Sequence, residues 1–384
     1  MRKQIHLVIL SFGVMLVSFC TAGNENSTTS LQKKVSHPTE ENIPLLSEMI
    51  KPQLVQNGYF EKNLNSSRLV LTVGKEGLNI DTKDIFGEIK QIRKFKDNLL
   101  VLDSKQFELR LYDYSGNLVA IRNIGGRGPG EVGLPHGIEV VNDLIYVLDD
   151  YYKVEVYKFE NKNIEYLTTH QLDYSPTHMC HLNDYMIIMG FRFDNISIGK
   201  TRANILHIHN IADFKLVSSI VEPYKSDNFL TVELLSDGPI ACNSEDSSIY
   251  FTYKNFPYVF NYALDGHLKK VIDFSDFFET GSLTEENENG ESSMLYGPNK
   301  NNYFQSNQQL LFDDQNHLII NTHLTTTKNG SPQRFRYVYK IDTSANTIEF
   351  DEKFLNEAIE IQLSEELTVT SSAYPFPMFK VFKN

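Results

Sequence analysis

Leu99-Leu100-Val101-Leu102-Asp103 returns as Ile145-Tyr146-Val147-Leu148-Asp149, and more loosely as Ile249-Tyr250-Phe251-Thr252-Tyr253. Each copy passes through a polar turn into an alternating segment: Leu109-Arg110-Leu111-Tyr112, Val154-Glu155-Val156-Tyr157 and Tyr258-Val259-Phe260-Asn261. A unit this short cannot bury its own apolar face and must stack on neighbours. Asp149 follows Asp103 by 46 positions, and Val156 follows Leu111 by 45. That period belongs to blades of a β-propeller.

The clearest copy reads strand by strand. Residues 134–140 form a first strand, turned by Asn142-Asp143. Residues 144–148 are apolar throughout, as expected of a strand covered on both faces. Residues 153–159 alternate, and 166–172 supply a fourth strand. Turn signals such as Tyr114-Ser115-Gly116-Asn117 and Leu264-Asp265-Gly266-His267 separate the strands. Further units centre on Met186-Ile187-Ile188 with Ile205-Leu206-His207-Ile208, and on Leu318-Ile319-Ile320 with Arg336-Tyr337-Val338-Tyr339, the last interrupted by a polar insertion. Another begins near Leu69. The expected fold is all-β: a six-bladed β-propeller of four-stranded antiparallel blades. Residues 43–58 read as a short helix or irregular lead-in, and 275–302 as an excursion on one face. Residues 368–382 can complete the ring by pairing with the N-terminal unit, and an open ring would leave exposed sheet edges.

Leu134-Pro135, Gly137-Ile138 and the strands that follow resemble an NHL-type propeller repeat. Just before them stands Ile124-Gly125-Gly126-Arg127-Gly128-Pro129-Gly130-Glu131. This string resembles one found in six-bladed β-propeller lipoproteins of Bacteroides-type bacteria. The resemblance implies a TolB-like propeller and carries no established reaction. The chain departs from the pattern where Tyr253 and Thr322 replace the blade Asp.

The first residues concern address rather than fold. Arg2 and Lys3 precede a nearly unbroken apolar run from Ile5 to Phe19, the pattern of a secretory signal. Val17-Ser18-Phe19-Cys20 resembles a lipobox, although Phe19 is larger than the residue usual before the lipidated Cys. Cys20 is therefore the expected lipidation site, with ordinary cleavage after Ala22 as the alternative. Residues 1–22 are assigned to the signal, 23–45 to a flexible polar tether, and 46–384 to a single propeller domain. Contact with a membrane is expected only through the lipid. The expected location is the cell envelope, as an outer-membrane lipoprotein facing the periplasm or the surface.

The formal charge of −13, from 36 basic against 49 acidic residues, and the lack of a basic run argue against nucleic acid as a partner. The bias to Phe and Tyr, 25 and 20 residues, suits strands and a large core. Cys180 and Cys242 are far apart in sequence and read as small buried hydrophobes rather than as a disulfide.

The glycine-rich 125–131 string is the sharpest local signal. Read functionally, Arg127 and Glu131 project from a preset loop and Arg127 pairs with a carboxylate, sulfate or sugar acid. Read structurally, which is favoured, the string connects blades. Arg127, Glu131 and His136 are the candidate ligand-binding residues. Asp103 and Asp149 could serve as an acid–base pair, but their repetition marks them as turn caps. His207 and His209 share a strand face and His178 lies near His181, yet no third ligand completes a metal site. Asp149-Asp150 and Asp313-Asp314 lack a calcium-loop pattern. Tyr151, Tyr152, Tyr253, Phe256, Tyr258 and Tyr262 could stack on sugars, but blade packing accounts for them. There is no Gly-x-Ser-x-Gly elbow. No cofactor, metal or catalytic residue is assigned.

These readings favour a binding or scaffold protein whose partner is an envelope protein, a glycan or a peptide. The alternative is a lyase or hydrolase acting on a glycan or peptide, with Arg127, His136 and an acid such as Glu131 or Asp149 converging in the channel. A purely structural role in an envelope complex is the third possibility.

Overall fold

The computed structural model describes residues 43, 49–57, 68–74, 85–192, 203–225, 229–278, 284–286, 292–294, 304–328, 331–351, 357–364, 367–372 and 377–383. The signal segment, Cys20 and nearly all of the tether lie outside them. Six antiparallel sheets follow one another as blades. Blade 1 comprises Ile89–Phe95, Asn98–Asp103, Glu108–Asp113 and Leu118–Asn123. Blade 2 comprises Pro135–Val141, Leu144–Asp149, Lys153–Glu160 and Asn163–Gln171. Blade 3 runs Ser175–Leu182, Tyr185–Phe191, Leu206–Asn210 and Leu216–Ile220, and blade 4 Ile240–Asn243, Ser248–Phe251, Tyr258–Tyr262 and Leu268–Asp273. Blade 5 runs Phe304–Phe312, Leu318–Lys328, Ser331–Asp342 and Thr347–Asp351. Blade 6 takes three strands from the C-terminal segment, Glu357–Ser364, Leu367–Ser372 and Met378–Lys383, and its outermost strand, Arg68–Val73, from the N-terminal segment. The first strands of successive blades are neighbours around one axis, and the sixth returns to the first.

The period-two pattern explains the stacking. Leu100 and Leu102 enter the layer between blades 1 and 2, together with Ile145 and Val147. Their neighbours Leu99 and Val101 point the other way, into the layer shared with Val369, Phe379 and Val381 of blade 6. Tyr146 and Leu148 likewise face Met186 and Ile188 between blades 2 and 3. Each second strand thus supplies side chains to two cores, which is why it is apolar throughout. The repeated acids cap what precedes each blade. Asp103, fully buried, accepts from the backbone N–H groups of Gly87 (2.7 Å), Glu88 (3.0 Å), Lys105 (3.2 Å) and Gln106 (3.0 Å). Asp149 accepts in the same way from Gly133 (3.1 Å), Leu134 (3.0 Å) and Tyr151 (3.3 Å).

Four features differ from the sequence reading. The lead-in holds a strand, Gln53–Asn57, which pairs in parallel with Thr347–Asp351 as a fifth strand of blade 5. That edge offered unpaired backbone groups. The polar insertion of blade 5 extends its hairpin, with pairing continuing out to Lys328 and Ser331. A helix not foreseen, Phe229–Ser236, leads into blade 4.

The fourth difference corrects the reading of the cysteines. Cys180 and Cys242 form a disulfide, with Cα atoms 5.7 Å apart. Cys180 pairs with Ile187 and Cys242 with Ile249 on the first strands of consecutive blades, and both isoleucines enter the layer between those blades, so the two cysteines face each other across it. A separation of 62 residues looks remote in a linear chain. It is one blade step in a ring.

Candidate functional site

The first strands line an axial cavity of about 370 Å³. Five of the six carry a register shift near their start: between Ile89 and Gln91, Pro135 and Gly137, Pro176 and His178, Asn307 and Gln309, and Ile359 and Ile361. A bulge inserts one extra residue and re-aims its side chain. In the first, second, third and fifth blades that residue is Lys90, His136, Thr177 and Gln308, and all four line the cavity.

Blade 4 lacks the bulge and contributes differently. By register, the helix end stands where Gly133 and Leu134 stand in blade 2, and Tyr253 stands where Asp149 does. Helical N–H groups bond within the helix, so no capping acid is needed there. The strand is then approached through Asp237-Gly238-Pro239. A Cβ on Gly238 would lie 1.8 Å from the carbonyl oxygen of Thr252, so only glycine permits this approach. The turn sets Asp237 at the cavity wall. Its Oδ2 lies 3.4 Å from Lys254 Nζ, and its Oδ1 lies 3.7 Å from His178 Nε2.

Lining atoms without a hydrogen-bond partner among the described residues include His136 Nε2, Asp237 Oδ1 and Asn307 Oδ1. The nearest carboxylate to His136 is Asp150, at 4.0 Å. Asn307 is fully buried, and its amide donates to Thr252 Oγ1 and Phe256 O, both at 2.9 Å, which fixes its carbonyl side. Buried polar atoms are ordinarily paired, so their gathering around a single cavity sets it apart.

Burial pushes the His178 imidazole down to about 4, against the attraction of Asp237. His178 is therefore neutral at neutral pH. Burial also lowers His136, partly offset by Asp150 and reinforced by Lys90. For Asp237, burial opposes ionisation, but His178, Lys254 and a Thr177 hydrogen bond together hold its carboxyl below the usual range. The site thus offers an ionised acid, neutral imidazoles and ammonium groups. Among the described residues, no group of three His, Cys, Asp or Glu is placed to hold a metal ion.

The sequence-derived candidates separate. His136 is on the axis. Arg127 and Glu131 belong to the connection from blade 1 to blade 2, and Arg127 lines a different, lateral cleft. Glu131 Oε2 accepts from the backbone N–H groups of Arg127 (2.9 Å) and Gly128 (2.8 Å), so its carboxylate shapes its own loop. Asp103 and Asp149 are occupied as caps. His207 and His209 are buried in blade 3. His207 Nε2 donates to Gly190 O (3.2 Å) and its Nδ1 accepts from Ser219 Oγ (2.8 Å). His209 Nδ1 donates to Phe214 O (3.0 Å) and its Nε2 accepts from Tyr174 Oη (2.7 Å). Sequence reasoning did not single out Lys90, Asp237, Lys254 and Asn307. The Gly-Pro after Asp237 was a readable sign of a special turn; the bulges had none.

The whole-chain comparisons agree with this architecture. Among curated proteins none matches the chain by sequence. Two solved structures share the fold. One is a Bacteroides fragilis protein named for its expected export, 13% identical, with 88% of this chain and 99% of that chain covered and a TM-score of 0.55. The other is a member of the DUF4221 family from Bacteroides vulgatus, 9% identical, with 83% and 97% covered and a TM-score of 0.55. A family model described as a 6-bladed beta-propeller matches residues 76–321. With six blades in its structure and that match spanning well over half its length, the chain belongs to the DUF5128 family of 6-bladed beta-propellers.

Proposed function

We propose that this protein is an exported, lipid-anchored binding propeller of the bacterial envelope, and that its ligand sits in the axial cavity. The observation that carries the proposal is the convergence of His136 Nε2, Asp237 Oδ1 and Asn307 Oδ1, all unpartnered, in that one cavity. The wall carries both signs of charge, with Asp237 on one side and Lys90 and Lys254 on the other. A small solute rich in hydroxyl groups, which both donate and accept, suits such a wall. The signal-like start, Cys20 and a disulfide suited to an oxidising compartment support export. The name of the Bacteroides fragilis neighbour carries the same expectation.

Thermal-shift and calorimetric screening of the mature protein against mono- and oligosaccharides and short peptides tests the binding claim. A ligand whose affinity falls at least tenfold in Asp237→Asn and in His136→Gln supports it. Binding that ignores both substitutions, or no ligand at all, favours a purely structural envelope role. Processing that is insensitive to globomycin would remove Cys20 as the lipidated residue.

A second reading, a lyase or hydrolase acting on a glycan or peptide, is favoured by one observation: a neutral His178 beside an ionised Asp237 is suited to accept a proton. Arg127 takes no part in it, because it lies outside this cavity. Turnover abolished in His178→Gln with binding retained would select this reading.

A further inference from the structure

We infer a second ligand site, independent of the axial cavity: a lateral cleft on blade 2 that takes the carboxylate of an acidic saccharide. The cleft holds about 550 Å³. Its walls are the connection at Arg127, Gly128 and Pro129 and the outer two strands of blade 2, through Lys153, Glu155, Tyr166, Thr168, Thr169 and Gln171.

The connection is held rigid from below. Lys153 Nζ donates to Glu131 O (2.6 Å) and pairs with Glu155 (2.7 Å); Glu155 Oε2 accepts from Gly130 N (3.1 Å) and Thr169 Oγ1 (2.7 Å); Tyr157 Oη donates to Gly130 O (3.1 Å). On this base Arg127 lies over the ring of Tyr151, 5.3 Å from its centroid. Tyr151 in turn packs against Gly133, where a Cβ would come within 2.2 Å of the ring. The stacked guanidinium is therefore oriented in advance, with its edge left for a planar carboxylate.

Among the described residues Arg127 makes no ion pair, whereas Arg93, Arg110 and Arg192 all do. In a chain of charge −13, an exposed arginine without an acid is a group left for something else. The side chains of Thr168 and Gln171 likewise have no hydrogen bond within the described residues. A strand bulge between Tyr166 and Thr168 turns this part of the outer strand. One cation, a hydroxyl and an amide around a polar cleft match a sugar ring that carries a carboxylate.

The test uses the mature protein, an oligogalacturonide, the corresponding neutral galactose oligomer and a glutamate-rich peptide. The oligogalacturonide should bind, with affinity falling as salt rises. Arg127→Gln should weaken it at least tenfold, Arg127→Lys should weaken it substantially through loss of the planar fork, and Thr168→Val should weaken it by a smaller factor. Arg127 is exposed, so unchanged unfolding curves will show that these variants fold. Asp237→Asn should leave this affinity unchanged, which separates failure here from failure of the axial proposal. Equal binding of the neutral oligomer that is also weakened by Arg127→Gln, tighter Arg127-dependent binding of the acidic peptide, or indifference of oligogalacturonide binding to Arg127→Gln would each overturn the inference.

Discussion

Blades 1 and 2 are close copies, whereas blade 4 breaks their pattern, and the candidate chemistry gathers where the pattern breaks. In the copies, Asp103 and Asp149 spend their oxygens on backbone N–H groups. In blade 4 a helix removes the need for a capping acid, and the acid present there, Asp237, faces the axis with one oxygen lacking a hydrogen bond. Two kinds of carboxylate are therefore set apart: the fully buried one is saturated by its own chain, and the half-buried one on the axis is not. Saturation accounts for a structural role, and its lapse at Asp237 is what the axial proposal rests on.

This contrast is sharpest in the effect of removing each acid. Asp149→Ala strands three N–H groups and takes away a neighbour of Lys153, 3.6 Å from it. It should cost about 3–5 kcal/mol in urea unfolding, the scale for breaking a buried charged network. A loss below 1 kcal/mol would erase the distinction between the two acids.

The disulfide joins the irregular blade 4 to blade 3. Closing a loop of 62 residues contributes about 4 kcal/mol on chain-entropy grounds. The double variant Cys180→Ala, Cys242→Ala should lose stability on that scale while keeping its circular dichroism. If reduction leaves the midpoint unmoved, the inner strands hold together without it.

Blade 3 adds a pH-dependent term. Burial pushes His207 down to about 4 from 6.5, against its bond to Gly190 O. The unfolded chain then binds more protons between those values, so stability is fully present above about pH 6.5 and declines as pH falls toward 4. At about 1.4 kcal/mol per unit, this amounts to about 3 kcal/mol. His207→Gln should flatten that limb of the stability–pH curve; an unchanged limb would place the proton elsewhere.

Asp237→Asn completes the series with the smallest expected effect, under about 1 kcal/mol, since no N–H group depends on its free oxygen. A large loss would make Asp237 a structural acid after all and empty the axial proposal.

The fold was legible because stacking writes itself into sequence. Alternation in 145–148 sends Ile145 and Val147 to one core and Tyr146 and Leu148 to the other, so the whole strand is apolar. The acids ending these strands could be read as caps for the same reason: the turn they serve recurs with them. The site was legible only in part. Arg127 and His136 are close in sequence, but the connection crosses from the outermost strand of one blade to the innermost strand of the next. That is three strand spacings, or about 14 Å. Proximity along the chain therefore implied a convergence that the topology denies. Asp237 and Asn307 had no repeat to announce them, and the bulges that aim Lys90 and His136 depend on register, which composition does not encode. The cysteine pair was missed because linear distance is a poor guide where the first strands of successive blades touch.

The sixth blade is assembled from Arg68–Val73 and the last three strands of the chain. A polypeptide leaving the ribosome must therefore keep one early strand waiting until nearly all its other residues exist. The cost of that wait is a long-range loop closure, met last, which makes the final step of folding slow and all-or-none.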